Sequence, residues 1–262
     1  MLGVVVLFAC LGCLTGFLAG LLGIGGGLII VPMLVYILPS LEFPTELVMP
    51  VAIATSLSSI IFTTVVGSFA HHKNNNIPWE IARQLMVMIA AGALFGVYLA
   101  DSISTKVLQY IFAVAVILLA SYMLLSVRIS NVKPFPRPWV IRLIGLSTGV
   151  LSSLMGIAGG AILVPILTYY SMSVRKAIGT ATVCGFVVAC FGSIGFVVAG
   201  LDQTTLPPWS IGYVYLPALF GVMITSSLFV PLGVKYASKL PVKTLKKVFA
   251  VFLIMVAMKM VW

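Results

Sequence analysis

The chain has 262 residues, of which 61% are hydrophobic and 8% are charged, and its mean hydropathy is +1.22. No soluble domain of this length could cover so much apolar surface with polar groups, so a soluble enzyme or binding module is excluded. The net charge of +10 does not indicate nucleic-acid binding, because the basic residues lie in short segments between apolar runs, and we expect no nucleic-acid partner.

Apolar runs follow one another along the chain without the alternation of a transmembrane β-strand, which predicts a bundle of membrane helices. They cover residues 3–22, 28–38, 47–70, 81–100, 107–126, 139–155, 161–171, 177–199, 211–232 and 244–262. The runs 28–38 and 161–171 are too short to span a membrane. As helices they reach about 17 Å, roughly half of a hydrocarbon core of about 30 Å.

Each short run follows a glycine cluster, and the two clusters belong to an internal repeat. "TGFLAGLLGIGGGLIIVPML" at 15–34 and "TGVLSSLMGIAGGAILVPIL" at 148–167 are identical at twelve of 20 positions, and "AIATS" at 52–56 corresponds to "AIGTA" at 177–181. This pattern indicates a duplication. We predict a first transmembrane repeat at 1–127, a basic cytoplasmic linker at 128–138 and a second transmembrane repeat at 139–262.

The loop charges favour a topology in which each glycine-broken pair of helical arms returns to the side it entered from. With such hairpins nearly all basic residues face one side, whereas single crossings would remove this bias. That side is the cytoplasmic one, so both termini are predicted outside a plasma or inner membrane that the chain crosses several times. The residues concerned are Lys73, Arg83, Arg128, Lys133, Arg137, Arg142, Arg175, Lys176, Lys235, Lys239, Lys243, Lys246 and Lys247.

A returning hairpin followed by three full crossings gives each half an odd number of net crossings, so the second half is inverted relative to the first. The predicted fold is therefore an all-α polytopic membrane protein of two inverted-topology repeats. Each repeat comprises a glycine-broken, re-entrant helix hairpin and three transmembrane helices. Inverted repeats with broken helices are typical of secondary transporters.

The middles of the predicted spans contain no Asp, Glu, Lys or Arg, which disfavours a cation carrier based on buried carboxylates. His71 and His72 at a helix end have no spaced partner, so we predict neither an enzyme nor a metal site, and no cofactor. Cys10 and Cys13 have CxxC spacing inside an apolar run, which favours helix packing over a disulfide, and a functional role for them stays open.

The glycine clusters are the candidate binding site. A helix that begins after "GIGGG" presents unpaired N–H groups and its positive dipole end near the middle of the bilayer, where an anion would bind. Glycine also allows close approach of a ligand to the backbone. The predicted contacts are Gly25, Gly26 and Gly27 in the first repeat and Gly159 and Gly160 in the second. Close helix packing or a simple bend is the alternative role for these glycines.

Neutral hydroxyls on the helix after each hairpin are the candidate side-chain ligands. Thr55 and Thr180 occupy equivalent positions in the two repeats, and Ser56 lies beside the first of them. Such hydroxyls also commonly bond the carbonyl one turn back on their own helix, which is the alternative for each of them.

The motifs "GFLAGLLGIGGGLIIVPML", "GVLSSLMGIAGGAILVPIL", "AIATS" and "AIGTA" resemble those of the TauE/SafE sulfite exporter family, also called TSUP, over essentially the whole chain. The family's glycine-rich motif falls on Gly23, Gly25, Gly26, Gly27 and Pro32 and again on Gly156, Gly159, Gly160 and Pro165. Ala158 departs from the motif by replacing a glycine. This puts strict chemical equivalence of the two halves in doubt.

The resemblance implies a permease for small sulfur-containing anions such as sulfite or sulfonates. We expect alternating access, driven by the anion gradient or by proton coupling. Two alternatives remain open at this point: an anion channel lined by the same hairpins, and a membrane accessory subunit that transports nothing. The identity of the anion, the direction of transport and the oligomeric state do not follow from the sequence.

Overall fold

Helices account for nearly all of the regular structure. The computed structural model describes residues 2–22, 26–125, 136–237, 250–251, 253–255 and 257–259. The helices are α1 (Leu2–Leu22), α2 (Gly27–Ile37), α3 (Val48–Lys73), α4 (Trp79–Ser102), α5 (Thr105–Leu125), α6 (Pro138–Met155), α7 (Gly160–Tyr169), α8 (Val174–Ala199) and α9 (Leu216–Ala237). A short 3-10 turn, Leu38–Leu41, follows α2, and two strands, β1 (Ser210–Ile211) and β2 (Val214–Tyr215), precede α9.

Five of these helices are long and apolar enough to cross a membrane, namely α3, α4, α6, α8 and the Thr105–Tyr122 part of α5. Many large apolar side chains on them are exposed, as expected for surfaces that face lipid. The expectation of an all-α membrane protein with several spans is therefore confirmed.

The two predicted half-length arms are present. Helix α2 has 11 residues and α7 has 10, so each reaches about 15 to 17 Å. Each begins at the glycine cluster and contains one proline, Pro32 or Pro165. The sequence prediction placed the arms at 28–38 and 161–171, within one or two residues of these helices.

Helices α3 and α8, which are equivalent in the repeat, cross at the centre of the molecule and run antiparallel. Gly67 near the end of α3 packs on Thr182 near the start of α8, and Gly192 near the end of α8 packs on Leu57 in the first half of α3. Next to the contact of Leu57 with Gly192, the Ser58 hydroxyl donates to the Ser193 hydroxyl at 3.1 Å.

Two further helix pairs each join one repeat to the other, and both run parallel. Along α1 and α9, Phe8 packs on Gly221, and Gly16 packs further along on Ser226. Glycine allows such close approach because it has no side chain between the two backbones.

Helices α4 and α6 pack in the same manner. Gly149 of α6 lies against Ile89 and Ala93, and Gly96 of α4 lies against Val150 and Ser153. Since residue numbers rise together along both helices, this pair is also parallel. It corresponds to the α1–α9 pair when the two repeats are exchanged.

The β-hairpin of β1 and β2 is a difference from the sequence prediction, which began a helix at residue 211. Gly212 has φ +50° and packs so closely on Val197 that a side chain there would overlap the backbone of α8. This contact between distant parts of the chain favours a turn where the apolar sequence suggests a helix. As a result α9 begins only at Leu216.

The turn of the β-hairpin also contacts the end of α4 through a hydrogen bond. The Tyr213 hydroxyl donates to Asp101 Oδ1 at 2.8 Å. Burial raises the pKa of Tyr213, the neighbouring carboxylate raises it further, and a hydrogen bond with Gln203 acts in the opposite direction. The phenol therefore keeps its proton, and with it the hydrogen bond to Asp101, throughout the neutral pH range.

Candidate functional site

The start of α2 lies against the interruption between α6 and α7, which we call the second break (Gly156–Gly159). A methyl group at Gly27 would overlap the Gly156 carbonyl oxygen and would lie 3.0 Å from both the Ile157 Cα and the Ile60 Cδ1 atoms. The structure thus brings the start of the first short arm to the glycine cluster of the second repeat.

Each short arm begins beside the centre of one of the long membrane helices. Gly27 contacts Ile60, which is close to the centre of α3, and Ala158 of the second break packs on Gly185, close to the centre of α8. Because α3 and α8 are long enough to span the membrane, the two helix starts lie at about mid-depth.

The backbone of the second break is held by two left-handed glycines. Gly156, with φ +66°, ends α6, and Gly159, with φ +68°, precedes α7. The Ile157 N–H donates to the Ser152 carbonyl at 3.0 Å, as in a common helix-ending motif. Side chains other than glycine rarely adopt this conformation, which explains glycine at both positions.

The first backbone N–H groups of α7 have no acceptor within their own helix. The Gly159 carbonyl accepts from the Ile162 and Leu163 N–H groups at 3.1 and 2.8 Å. The amides of Gly160 and Ala161 come before these, and an α-helix supplies no acceptor for its first N–H groups. They point towards the N-terminal side of α7, where the helix dipole is positive.

The interruption between α1 and α2, which we call the first break, is built differently where it is described. Gly26 has an ordinary helical conformation, φ −70° and ψ −18°, and its carbonyl accepts from the Ile29 and Ile30 N–H groups, both at 3.0 Å. Gly25, a predicted contact, lies outside the described residues.

Ser56 is the predicted side-chain ligand that reaches a break. Its hydroxyl is fully buried and donates to the Gly156 carbonyl at 2.8 Å. This bond satisfies a carbonyl at the end of α6 and ties the middle of α3 to the second break.

Thr55 and Thr180, the repeat-equivalent pair, have partners elsewhere. The Thr55 hydroxyl accepts the Tyr215 N–H of β2 at 3.0 Å, and the Thr180 hydroxyl lies 3.8 Å from the Met172 sulfur in the α7–α8 connection. Both threonines are buried. Their role as ligands stays a prediction, whereas the structure brings Gly26, Gly27, Ser56, Gly159 and Gly160 to the breaks.

Two further residues at the second break were missed by the sequence reasoning. Thr148 and Ser152 of α6 are buried, and their hydroxyl oxygens have no hydrogen-bond partner among the described residues. A methyl group at Gly159 would lie 3.0 Å from Ser152 Oγ and 3.3 Å from Thr148 Cγ2. A sequence signal existed, since the second repeat has Ser152 where the first has Ala19.

Charged side chains lie away from these breaks in the described part of the chain. On α6 the basic residue is Arg142, 14 residues before Gly156, and on α8 they are Arg175 and Lys176, ten and nine residues before Gly185. An anion at the breaks would therefore meet helix ends and not charged side chains of α6 or α8.

Comparison with known proteins agrees with this architecture. The family model for the sulfite exporter TauE/SafE matches residues 8–260. A probable membrane transporter protein of Haemophilus influenzae is 39% identical over 257 residues, covering 98% of this chain and 97% of its own.

More distant relatives carry the same description. A probable membrane transporter protein of Methanocaldococcus jannaschii is 27% identical, covering 92% of this chain and 86% of its own, and one of Bacillus subtilis is 26% identical, covering 92% of both chains. No solved structure matches the chain. The family match across nearly the whole length, together with the multi-pass helical fold, shows that this chain belongs to the sulfite exporter TauE/SafE family of membrane transporters.

Proposed function

We propose that the protein is a secondary transporter of small sulfur-containing anions such as sulfite or sulfonates. The observation that carries the proposal is the contact of Gly27 with Gly156 at the middle of the membrane helices. It places the start of one broken helix beside the break of the other. Helix starts at mid-depth, away from charged side chains, favour an anion that is small enough to be held by backbone N–H groups and hydroxyls. The choice of sulfur rests on the family.

The helix directions support an inverted arrangement of the two repeats. An axis in the membrane plane that exchanges the repeats makes α3 and α8 antiparallel and relates the parallel pair α1–α9 to the parallel pair α4–α6. The contacts described above have these directions. In the proposed mechanism the hairpins rock against the remaining helices and open the site to one side at a time.

The proposed setting is a plasma or inner membrane with the basic loops in the cytoplasm and both termini outside. One contact supports placing the basic loops on the same side of the membrane. The backbone of Asn76, after α3, lies against Gly179 near the start of α8, which follows Arg175 and Lys176.

A test of this topology is one-sided thiol labelling after removal of the four native cysteines. Asn75→Cys should react from the cytoplasmic side and Asp202→Cys from outside. Labelling of both from one side would contradict the inversion.

Transport itself is tested with purified protein in liposomes. Sulfite and sulfoacetate should enter faster than into empty liposomes, saturate with concentration and exchange with anion on the other side. Imposed pH and anion gradients identify the driving force, including proton coupling. Saturable counterflow indicates a carrier, and current without counterflow would show the channel alternative. Absence of any flux under every gradient would overturn the proposal and favour an accessory role.

A further inference from the structure

Two buried hydroxyls on α6 lie one helical turn apart and have no hydrogen-bond partner in the described part of the chain. They belong to Thr148, which is 1% exposed, and Ser152, which is 0% exposed. A buried hydroxyl without a hydrogen bond destabilises a protein by about 1 to 3 kcal/mol. Two such groups side by side therefore call for a physical reason.

The neighbouring hydroxyls do not share this property. The Ser153 hydroxyl donates to the carbonyls of Gly149 and Val150, both at 3.0 Å. In the first repeat Thr15, the equivalent of Thr148, donates to the Gly12 carbonyl at 3.2 Å. A bond to the carbonyl one turn back is thus the ordinary state of a hydroxyl in these helices, and Thr148 and Ser152 depart from it.

Both residues lie beside Gly159, which precedes α7, Ser152 with its hydroxyl and Thr148 with its methyl group, and the position beside Gly160 is open. Ser152 Oγ lies 3.0 Å from the position that a methyl group at Gly159 would occupy, whereas a methyl group at Gly160 would have no atom within 4 Å. The first amides of α7, the Ser152 hydroxyl and the Thr148 side chain therefore lie close together around Gly159.

We propose that Thr148 and Ser152 are ligands of the transported anion and bind it together with the first amides of α7. The second repeat then supplies the direct contacts, while the first repeat, with Ala19 at the position of Ser152 and a Thr15 hydroxyl that is already bonded, does not supply an equivalent pair. Two hydroxyls and two amides suit an oxyanion whose oxygens sit on one central atom, as in sulfite or a sulfonate. This inference rests on the proposed function, because it names ligands at the same site.

The variants Thr148→Val and Ser152→Ala remove one donor each, and Ser153→Ala is the matched control on the same helix. Equilibrium binding of sulfite and of sulfoacetate to the purified protein is measured for all four proteins. Each test variant should bind at least one of these anions about tenfold more weakly, the usual effect of losing one hydrogen bond to a charged group. The control should stay within about twofold of the wild type.

Thermal unfolding without added anion provides the second measurement. Thr148→Val should leave the midpoint unchanged or raise it, because it replaces an unpaired buried hydroxyl by a methyl group of similar size. The rise in midpoint on adding sulfite should be smaller than in the wild type. A purely structural hydroxyl would give the opposite result, a lower midpoint without anion and unchanged binding.

The outcomes separate the two proposals. If the wild type binds either anion and both test variants match the control, Thr148 and Ser152 are not ligands and the proposed function stands. If the wild type binds and transports neither anion, the proposed function fails and this assignment fails with it. Weaker binding in the test variants alone supports both.

Discussion

The two glycine breaks begin with nearly the same sequence, yet their surroundings differ. Gly27 is packed against the Gly156 carbonyl, whereas its equivalent Gly160 faces open space. Gly26 has a helical conformation, while its equivalent Gly159 is left-handed. The comparison teaches that the two copies of a duplicated motif can have different structural roles. In the first repeat the glycine allows contact between the breaks, and in the second it shapes a helix start that is accessible to a ligand.

The largest difference in stability is expected between the variants Gly27→Ala and Gly160→Ala. The first forces a methyl group into a carbonyl oxygen and should destabilise the protein by about 1 to 3 kcal/mol, with loss of transport. The second adds a methyl group to open space and should leave the thermal midpoint in detergent unchanged. Equal midpoints for the two variants would show that the breaks are equivalent.

A second pair compares the backbone conformations of the breaks. Gly159→Ala places a side chain at φ +68° and should cost about 1 to 2 kcal/mol. Gly26→Ala retains a favourable φ and meets the flexible end of Ile30 at 3.1 Å, so its stability should equal or exceed that of the wild type. Thermal unfolding of both variants checks this. If Gly26→Ala were destabilised and Gly159→Ala were not, the predicted difference between the two backbone conformations would be contradicted.

Ser56→Ala tests how firmly α3 holds the second break. The variant leaves the buried Gly156 carbonyl without its hydroxyl donor and should lower the unfolding free energy by about 1 kcal/mol. Ser59→Ala is the control, because the Ser59 hydroxyl donates to the Ser56 carbonyl on its own helix at 2.7 Å. If the two variants unfold alike, the bond to Gly156 contributes no more than an ordinary bond within a helix.

The smallest effects are expected at Thr55 and Thr180. Thr55→Val removes the acceptor of the Tyr215 N–H and should cost about 0.5 to 1 kcal/mol. Thr180→Val replaces a long contact to a methionine sulfur, a weak acceptor, and should be close to neutral. Unfolding measurements give the stabilities, and sulfite binding shows whether either hydroxyl is also a ligand. A larger loss of stability at Thr180 than at Thr55 would contradict this order.

Much of the fold follows from the sequence because its signals are local. The length of an apolar run sets whether a helix spans or stops halfway, and glycine clusters mark where it stops, so α2 and α7 lie close to their predicted positions. The β-hairpin does not follow, since its turn at Gly212 depends on the backbone of α8. An apolar stretch of this kind suggests a helix unless that neighbour is known.

In the candidate site, too, some features follow from the local sequence and others depend on neighbours that are distant in the chain. The glycine motifs mark the candidate site in the sequence, and the structure brings Gly27 of the first motif to Gly156 of the second. Which hydroxyls are free depends on the carbonyl that lies opposite each one. The Ser56 hydroxyl is bonded to Gly156, whereas those of Thr148 and Ser152 have no partner among the described residues, and the sequence alone does not distinguish these cases.

The exchange of partners between the repeats has a consequence for biosynthesis. Helix α1 packs on α9, which begins only at Leu216, so its glycine face has no final partner for roughly 10 to 40 s at ordinary rates of translation. Neither half can complete its own packing before the other is made. Assembly of this protein is therefore a late event, in which α1 reaches its native contacts long after it is synthesised.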